Sequence, residues 1–181
     1  WYDIVAYQFR PDHFVVAFLD ITERKRTEQS LRLAQHSLEI AADGVLWLRP
    51  DASVRYANVA ASHLLGYSSD EMLRLTVTDL DPELHPDDWA AHWSLLKQQK
   101  SITFERKFRT KAGDLVPVEI TACYAEFDGE AYNFSSIRDI TRRNQAAQRL
   151  AILATAVEQA ADDIMVTDAA GIITYVNAAF E

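Results

Sequence analysis

The sequence predicts an α+β domain, a five-stranded antiparallel sheet with helices on one face. Three observations predict it. Between residues 44 and 140, two strand-like runs come first, then several short helical segments and one longer one, then three more strand-like runs. Asp128-Gly129, between the last two runs, is a strong hairpin signal. Short matches also recur at a fixed offset of 119 residues, so units of the same kind flank this one.

Taken in order, segment 23–42 lacks Gly and Pro and is rich in Arg, Gln, Glu, Leu and Ala, which favours a helix. Thr22 is placed to cap it. Ile21, Leu31 and Leu38 are spaced by ten and seven residues, compatible with one seam of a coiled coil. Gly44 to Leu48 reads as a buried strand, Pro50 to Ser53 as a turn, and Val54 to Ala57 as a second strand. Asn58 caps a short helix that Gly66 stops, and Ser68 or Ser69 caps another with Glu71 in its first turn. Pro86-Asp87-Asp88 opens a longer helix to about Gln99, with the acids at the positive end of its dipole. Ile102 to Phe108 alternates apolar and polar residues. Leu115 to Phe127 sets Val116, Val118 and Ile120 on one face, and Ala131 to Ile140 closes the unit.

The repeat sets the organisation. Asp20-Ile21-Thr22 returns as Asp139-Ile140-Thr141, Ala41-Ala42-Asp43 as Ala160-Ala161-Asp162, and Tyr56-Ala57-Asn58 as Tyr175-Val176-Asn177. Residues 1–22 then end one unit, 23–42 are a linker helix, and 43–141 form a complete unit. Residues 142–161 are a second linker helix after Thr141, and 162–181 begin a third unit. The chain opens without Met and stops in a helix-like run, as expected of an excerpt from a longer polypeptide. The outer fragments would carry sheet edges able to pair with each other.

Composition narrows the function. With 49% hydrophobic and 25% charged residues the chain reads as an ordinary globular protein. A net charge of −9 argues against a nucleic-acid surface. No run approaches the roughly eighteen apolar residues of a membrane span. Cys123 is the only cysteine, which excludes an intrachain disulfide and a thiolate metal cluster and fits a reducing, cytoplasmic location. No G-x-S-x-G, P-loop, H-E-x-x-H or kinase signature is present, so the chain reads as a non-enzyme.

Asn58, Leu65-Gly66-Tyr67-Ser68 with Glu71, His85-Pro86-Asp87-Asp88, Lys111-Ala112-Gly113 with Pro117-Val118-Glu119, and Arg138-Asp139-Ile140-Thr141 together resemble the PAS family. Lys-Ala-Gly-Asp departs from the commoner Lys-Asp-Gly. The resemblance implies a sheet in the order second, first, fifth, fourth, third, a pocket between sheet and helices, and an exit motif that starts a signalling helix. It also implies an output outside this chain, such as a histidine kinase or diguanylate cyclase, in a two-component or similar pathway.

On that reading Asp139 and Thr141, with Asp20 and Thr22, are relay residues: the carboxylate anchors the strand end while the threonine caps the outgoing helix. A plain helix cap is the bland alternative. Trp47, Tyr56, Asn58, Trp89, Trp93, Phe104, Tyr132 and Phe134, with Phe108, are the set from which a pocket would be lined or the core filled, and strand parity leaves open which face inward. His92, beside Trp89 and Trp93, is a position where some relatives hold haem, weighed against a histidine in an aromatic core. His85 is assigned to helix initiation. The cysteine run of photoactive flavin relatives is absent, so neither haem nor flavin is favoured and the cofactor is unknown. The function expected is a sensory module relaying change through the linker helices, with a homodimer through those helices. The alternative is a ligand-free structural spacer and dimerisation module.

Overall fold

The computed structural model describes residues 1–11 and 13–180. Asp12 and Glu181, which fall in the expected first and third units, lie outside the described residues. The elements are β1 (Tyr2–Arg10), β2 (His13–Asp20), α1 (Thr22–Glu39), β3 (Gly44–Leu48), β4 (Val54–Ala57), α2 (Val59–Leu65), α3 (Ser69–Met72), α4 (Val77–Leu80), α5 (Pro86–Gln99), β5 (Ser101–Arg109), β6 (Leu115–Phe127), β7 (Glu130–Asp139), α6 (Thr141–Glu158), β8 (Met165–Thr167) and β9 (Ile173–Val176), followed by a 3-10 turn at Ala178–Phe180.

The central sheet has the order β4-β3-β7-β6-β5, all neighbours antiparallel. This is the expected second, first, fifth, fourth, third arrangement. Asp128 and Gly129 both have positive φ (50° and 79°), the requirement of a tight hairpin turn between β6 and β7. Helices α2 to α5 connect β4 to β5 and close one face. Leu46, Leu65, Met72, Leu80, Leu96 and Val118 are at most 1% exposed, each contributing about 1.5–3 kcal/mol by burial. Gly44 lets α2 approach the sheet closely: a Cβ there would lie 3.1 Å from the Cα of Ala61.

Local signals place the short helices. The Asn58 side chain accepts from Ala61 N–H at 2.9 Å. Ser68 and Glu71 form a reciprocal capping box, and Lys111 reaches both Glu71 oxygens at 2.7 and 2.9 Å, which holds that carboxyl at about 2. The Asp88 carboxylate accepts from His85 N–H at 3.3 Å, consistent with a role in starting α5. Helix α4 was not expected. Its signal is Thr76-x-x-Asp79, in which Asp79 accepts from Thr76 N–H at 2.7 Å.

Two expectations are corrected. The linker helices are shorter than residues 23–42 and 142–161, because the chain turns at Ile40 and Gln159 to begin the next strand. The outer fragments do not pair with each other: β1-β2 and β8-β9 are separate two-stranded sheets. Neither α1 nor α6 buries a residue.

Candidate functional site

Alternation along the strands decides what meets between sheet and helices. Leu46 and Leu48 on β3, Phe104, Arg106 and Phe108 on β5, Ile120 on β6, and Asn133, Ser135 and Ile137 on β7 point to the helical side. There, with Val77, Asp81, Leu84, Trp89 and His92, they surround a cavity of about 40 Å³. Two to four water-sized molecules fill such a volume, well below the roughly 300–1,000 Å³ of a drug-sized ligand site.

The cavity wall is apolar with a polar cluster. Ser135 Oγ donates to Asn133 Oδ1 at 2.8 Å, and Asn133 Nδ2 lies 3.5 Å from His92 Nε2. Both Asn133 and Ser135 are buried. His92 stacks on Trp89 at 5.1 Å between ring centroids and meets the edge of Phe104 at 5.5 Å. Burial, helped by the nearby Arg106 charge, holds its imidazole below the ordinary value. Asp81, 2% exposed, lies 3.4 Å from Arg106 Nε and accepts from Glu83 N–H at 3.0 Å. Burial pushes its carboxyl up, against the opposing pull of that N–H and of Arg106. Arg106 is half exposed and stands between the cavity and solvent. The surroundings of His92 do not fit a haem: Trp89 stacks on the imidazole, Phe104 meets it edge-on, and the space beside it is about 40 Å³.

Of the residues expected to form a pocket, Trp89 and Phe104 line the cavity, as does Phe108. Trp93 packs against Trp89 at the core margin, 5.8 Å away. Trp47, Tyr56, Tyr132 and Phe134 lie on the opposite face of the sheet, where Trp47 contacts Tyr56 at 4.8 Å and Phe134 at 5.1 Å. The reason is parity: Leu46 and Leu48 face in, so Trp47 and its cross-strand partners face out. Asn58 is fully buried but binds backbone around the start of β3 and α2 and does not reach the cavity. Sequence reasoning missed Asp81, Arg106, Asn133 and Ser135. The available signal was polar residues at inward parity, Arg106 between Phe104 and Phe108, and Asn133 and Ser135 ahead of Ile137.

The exit junction has a different chemistry from the one expected. The N-cap positions of α1 and α6 are Ile21 and Ile140, and neither threonine hydroxyl caps its helix. Instead Asp139 Oδ1 accepts from Thr141 N–H at 2.7 Å, and Asp20 Oδ1 from Thr22 N–H at 2.9 Å. The carboxylate therefore satisfies a free N–H of the first helical turn, and at the exit that bond is to the Thr141 backbone. Ile140 is buried at 3% exposure. In the first turn of α6, Arg143 reaches Glu119 of β6 at 3.0 Å and Glu105 of β5 at 2.6 Å.

The fold and site define an α+β domain in which short helices on one face of a five-stranded antiparallel sheet enclose a small cavity. Residues 42–142 match the PAS domain model, more than half of the chain, and the chain belongs to the PAS family. A methyl sulfide methyltransferase-associated sensor of Methanosarcina acetivorans is 27% identical over 135 residues. That match covers 71% of this chain, which spans 14% of the relative's length. The PAS domain of an HTR-like protein from Haloarcula marismortui superposes with a TM-score of 0.61 at 22% identity, covering 65% of this chain and 98% of that one. A PAS domain from a two-component sensor histidine kinase does so with 0.55 at 22% identity, covering 62% and 98%. Both structures speak to fold. No described helix is long and apolar enough to cross a membrane. No cluster of three or more His, Cys, Asp or Glu placed for a metal occurs among the described residues.

Proposed function

We propose that residues 43–141 sense a small molecule, or a partner-induced change, and relay it through the Asp139 junction into α6 and on to an output domain outside residues 1–181. One observation carries the reading. Asn133, Ser135, Ile137 and Asp139 share one face of β7: the first three line the cavity and the fourth holds the first turn of α6. A ligand that shifts the cavity wall therefore acts on the same strand that anchors the outgoing helix. It biases the junction only by its differential affinity for two positions of that strand.

Tandem organisation and dimerisation belong to the same proposal. Asp20 repeats the Asp139 bond. Asn177 repeats Asn58, with its Oδ1 accepting from Ile164 N–H at 2.8 Å and its Nδ2 reaching Val157 and Asp162 carbonyls at 3.2 and 3.0 Å. Residues 1–22 and 162–181 are accordingly the end and the start of neighbouring units. The exposed Leu31 of α1 and the exposed Leu150 and Leu153 of α6 supply apolar surface for a homodimer through the linker helices. The parent is then a signalling protein of the histidine kinase or diguanylate cyclase kind, working in the cytoplasm.

The small size of the cavity favours a second reading, a ligand-free spacer. Native mass spectrometry of the purified chain separates the two. A stoichiometric small molecule supports sensing, and repeated emptiness supports the spacer. In the parent protein, Asp139→Ala is expected to weaken signal-dependent output while leaving the fold largely intact. Unchanged output would count against the relay.

A further inference from the structure

The unit is tied to its incoming helix as well as to its outgoing one, by side chains the cavity does not use. Glu39, the last residue of α1, accepts from Tyr56 OH at 2.7 Å through one oxygen and from Val59 N–H at 3.2 Å through the other. Asn58 Nδ2 donates to the Leu38 carbonyl at 2.9 Å and to the Asp43 carbonyl at 3.1 Å. The same clamp recurs at the end of α6, where Tyr175 OH bonds Glu158 and Asn177 binds Val157 and Asp162 carbonyls.

The incoming clamp continues to the exit. The Asp43 carboxylate takes a bidentate pair of bonds from Arg138, at 3.2 Å from Nε and 2.8 Å from Nη2. Arg138 adjoins Asp139, whose carboxylate holds Thr141 N–H. The strands agree with this: Gly44 pairs with Ile137, so the start of β3 and the end of β7 lie side by side. The segment leading from α1 into β3 and the end of β7 leading into α6 thus lie side by side at one end of the sheet, joined by the planar two-point Asp43–Arg138 contact, which fixes orientation as well as distance.

We propose that Asp43 and Arg138 are positioning residues that couple α1 directly to α6, giving the unit a mechanical input from the preceding helix in addition to its cavity. The proposal stands whether or not the cavity takes a ligand. Coupling of this kind is read out as the position of one helix relative to the other. Nitroxide labels are placed at Gln35→Cys on α1 and Gln148→Cys on α6, both exposed, in the full chain carrying Cys123→Ser. Interlabel distances are measured by pulsed electron resonance after dilution with unlabelled chain.

The unmodified joint is expected to give one narrow distribution. Asp43→Asn and Arg138→Gln should each broaden or shift it with little change in thermal midpoint, since both side chains are partly exposed. The charge exchange Asp43→Arg with Arg138→Asp should recover the narrow distribution. Ser135→Val, a cavity variant, should leave the effect of Asp43→Asn in place. Unchanged distributions in both single variants, or a charge exchange that recovers nothing, would overturn the proposal.

Discussion

Asn58 is fully buried and makes four bonds to backbone: it accepts from Val45 and Ala61 N–H and donates to Leu38 and Asp43 carbonyls. Asn58→Ala would strand all four groups, and an unfolding free energy lower by about 3 kcal/mol is expected in urea titration. Asn58→Asp keeps the two accepted bonds and loses the donated ones, so it should fall between. His92 and Asp81 give opposite pH signatures. His92 is held below 6.5 by burial and Arg106, so the unfolded chain binds more protons just below 6.5. Its contribution is therefore present above 6.5 and lost as pH falls through the lower folded value. His92→Gln should flatten that decline in urea midpoints measured against pH. Asp81 is raised above 3.8 by burial, so its contribution is present below 3.8 and lost as pH rises through the folded value. Asp81→Asn should remove that loss. The helix-capping role of Asn58 was legible in sequence, because a cap acts three residues ahead. Its other bonds reach 13 to 20 residues back and depend on how the linker meets the sheet. The same distance hid the Asp81–Arg106 contact, and it takes coordinates to show that Asp139 and not Thr141 satisfies the helix.

At the scale of elements, hydrophobic alternation and turn chemistry located the five strands of the central sheet and α5, because each carries its own local signal. Strand parity relative to the core was the weaker inference. Trp47, Tyr56, Tyr132 and Phe134 form a cross-strand aromatic cluster on the outer face, and large aromatics serve either face of a half-covered sheet. Gly44 is where β3 and α2 come closest. Gly44→Ala would force its Cβ against Ala61 backbone, and a fall in thermal midpoint of several degrees is expected by calorimetry. The linker helices are a different case. With no buried residue on either, their stability rests on capping, propensity and a few surface contacts such as Glu39 to Tyr56 and Arg143 to Glu119 and Glu105, or on contacts with a second copy. Leu153→Glu on α6 should shift the sedimentation equilibrium mass from dimer toward monomer if the linker helices are the dimer interface. An unchanged mass would place the interface elsewhere.

The whole molecule is one complete sheet between two hairpins that pair with neither it nor each other. On the tandem reading proposed above, the 119-residue period would account for this arrangement, with matching polar contacts at Asp20 and Asp139 and again at Asn58 and Asn177. Strand β7 carries the cavity wall at one end and the helix anchor at the other. Hydrogen exchange of the full chain tests that directly. Ser135→Val alters the cavity wall, and protection is read at the amides of residues 141–147. The expected result is a change in the first turn of α6 that disappears when Asp139→Ala is combined with it. A change confined to the strands and helices around the cavity, with the first turn of α6 unaffected, would contradict the relay.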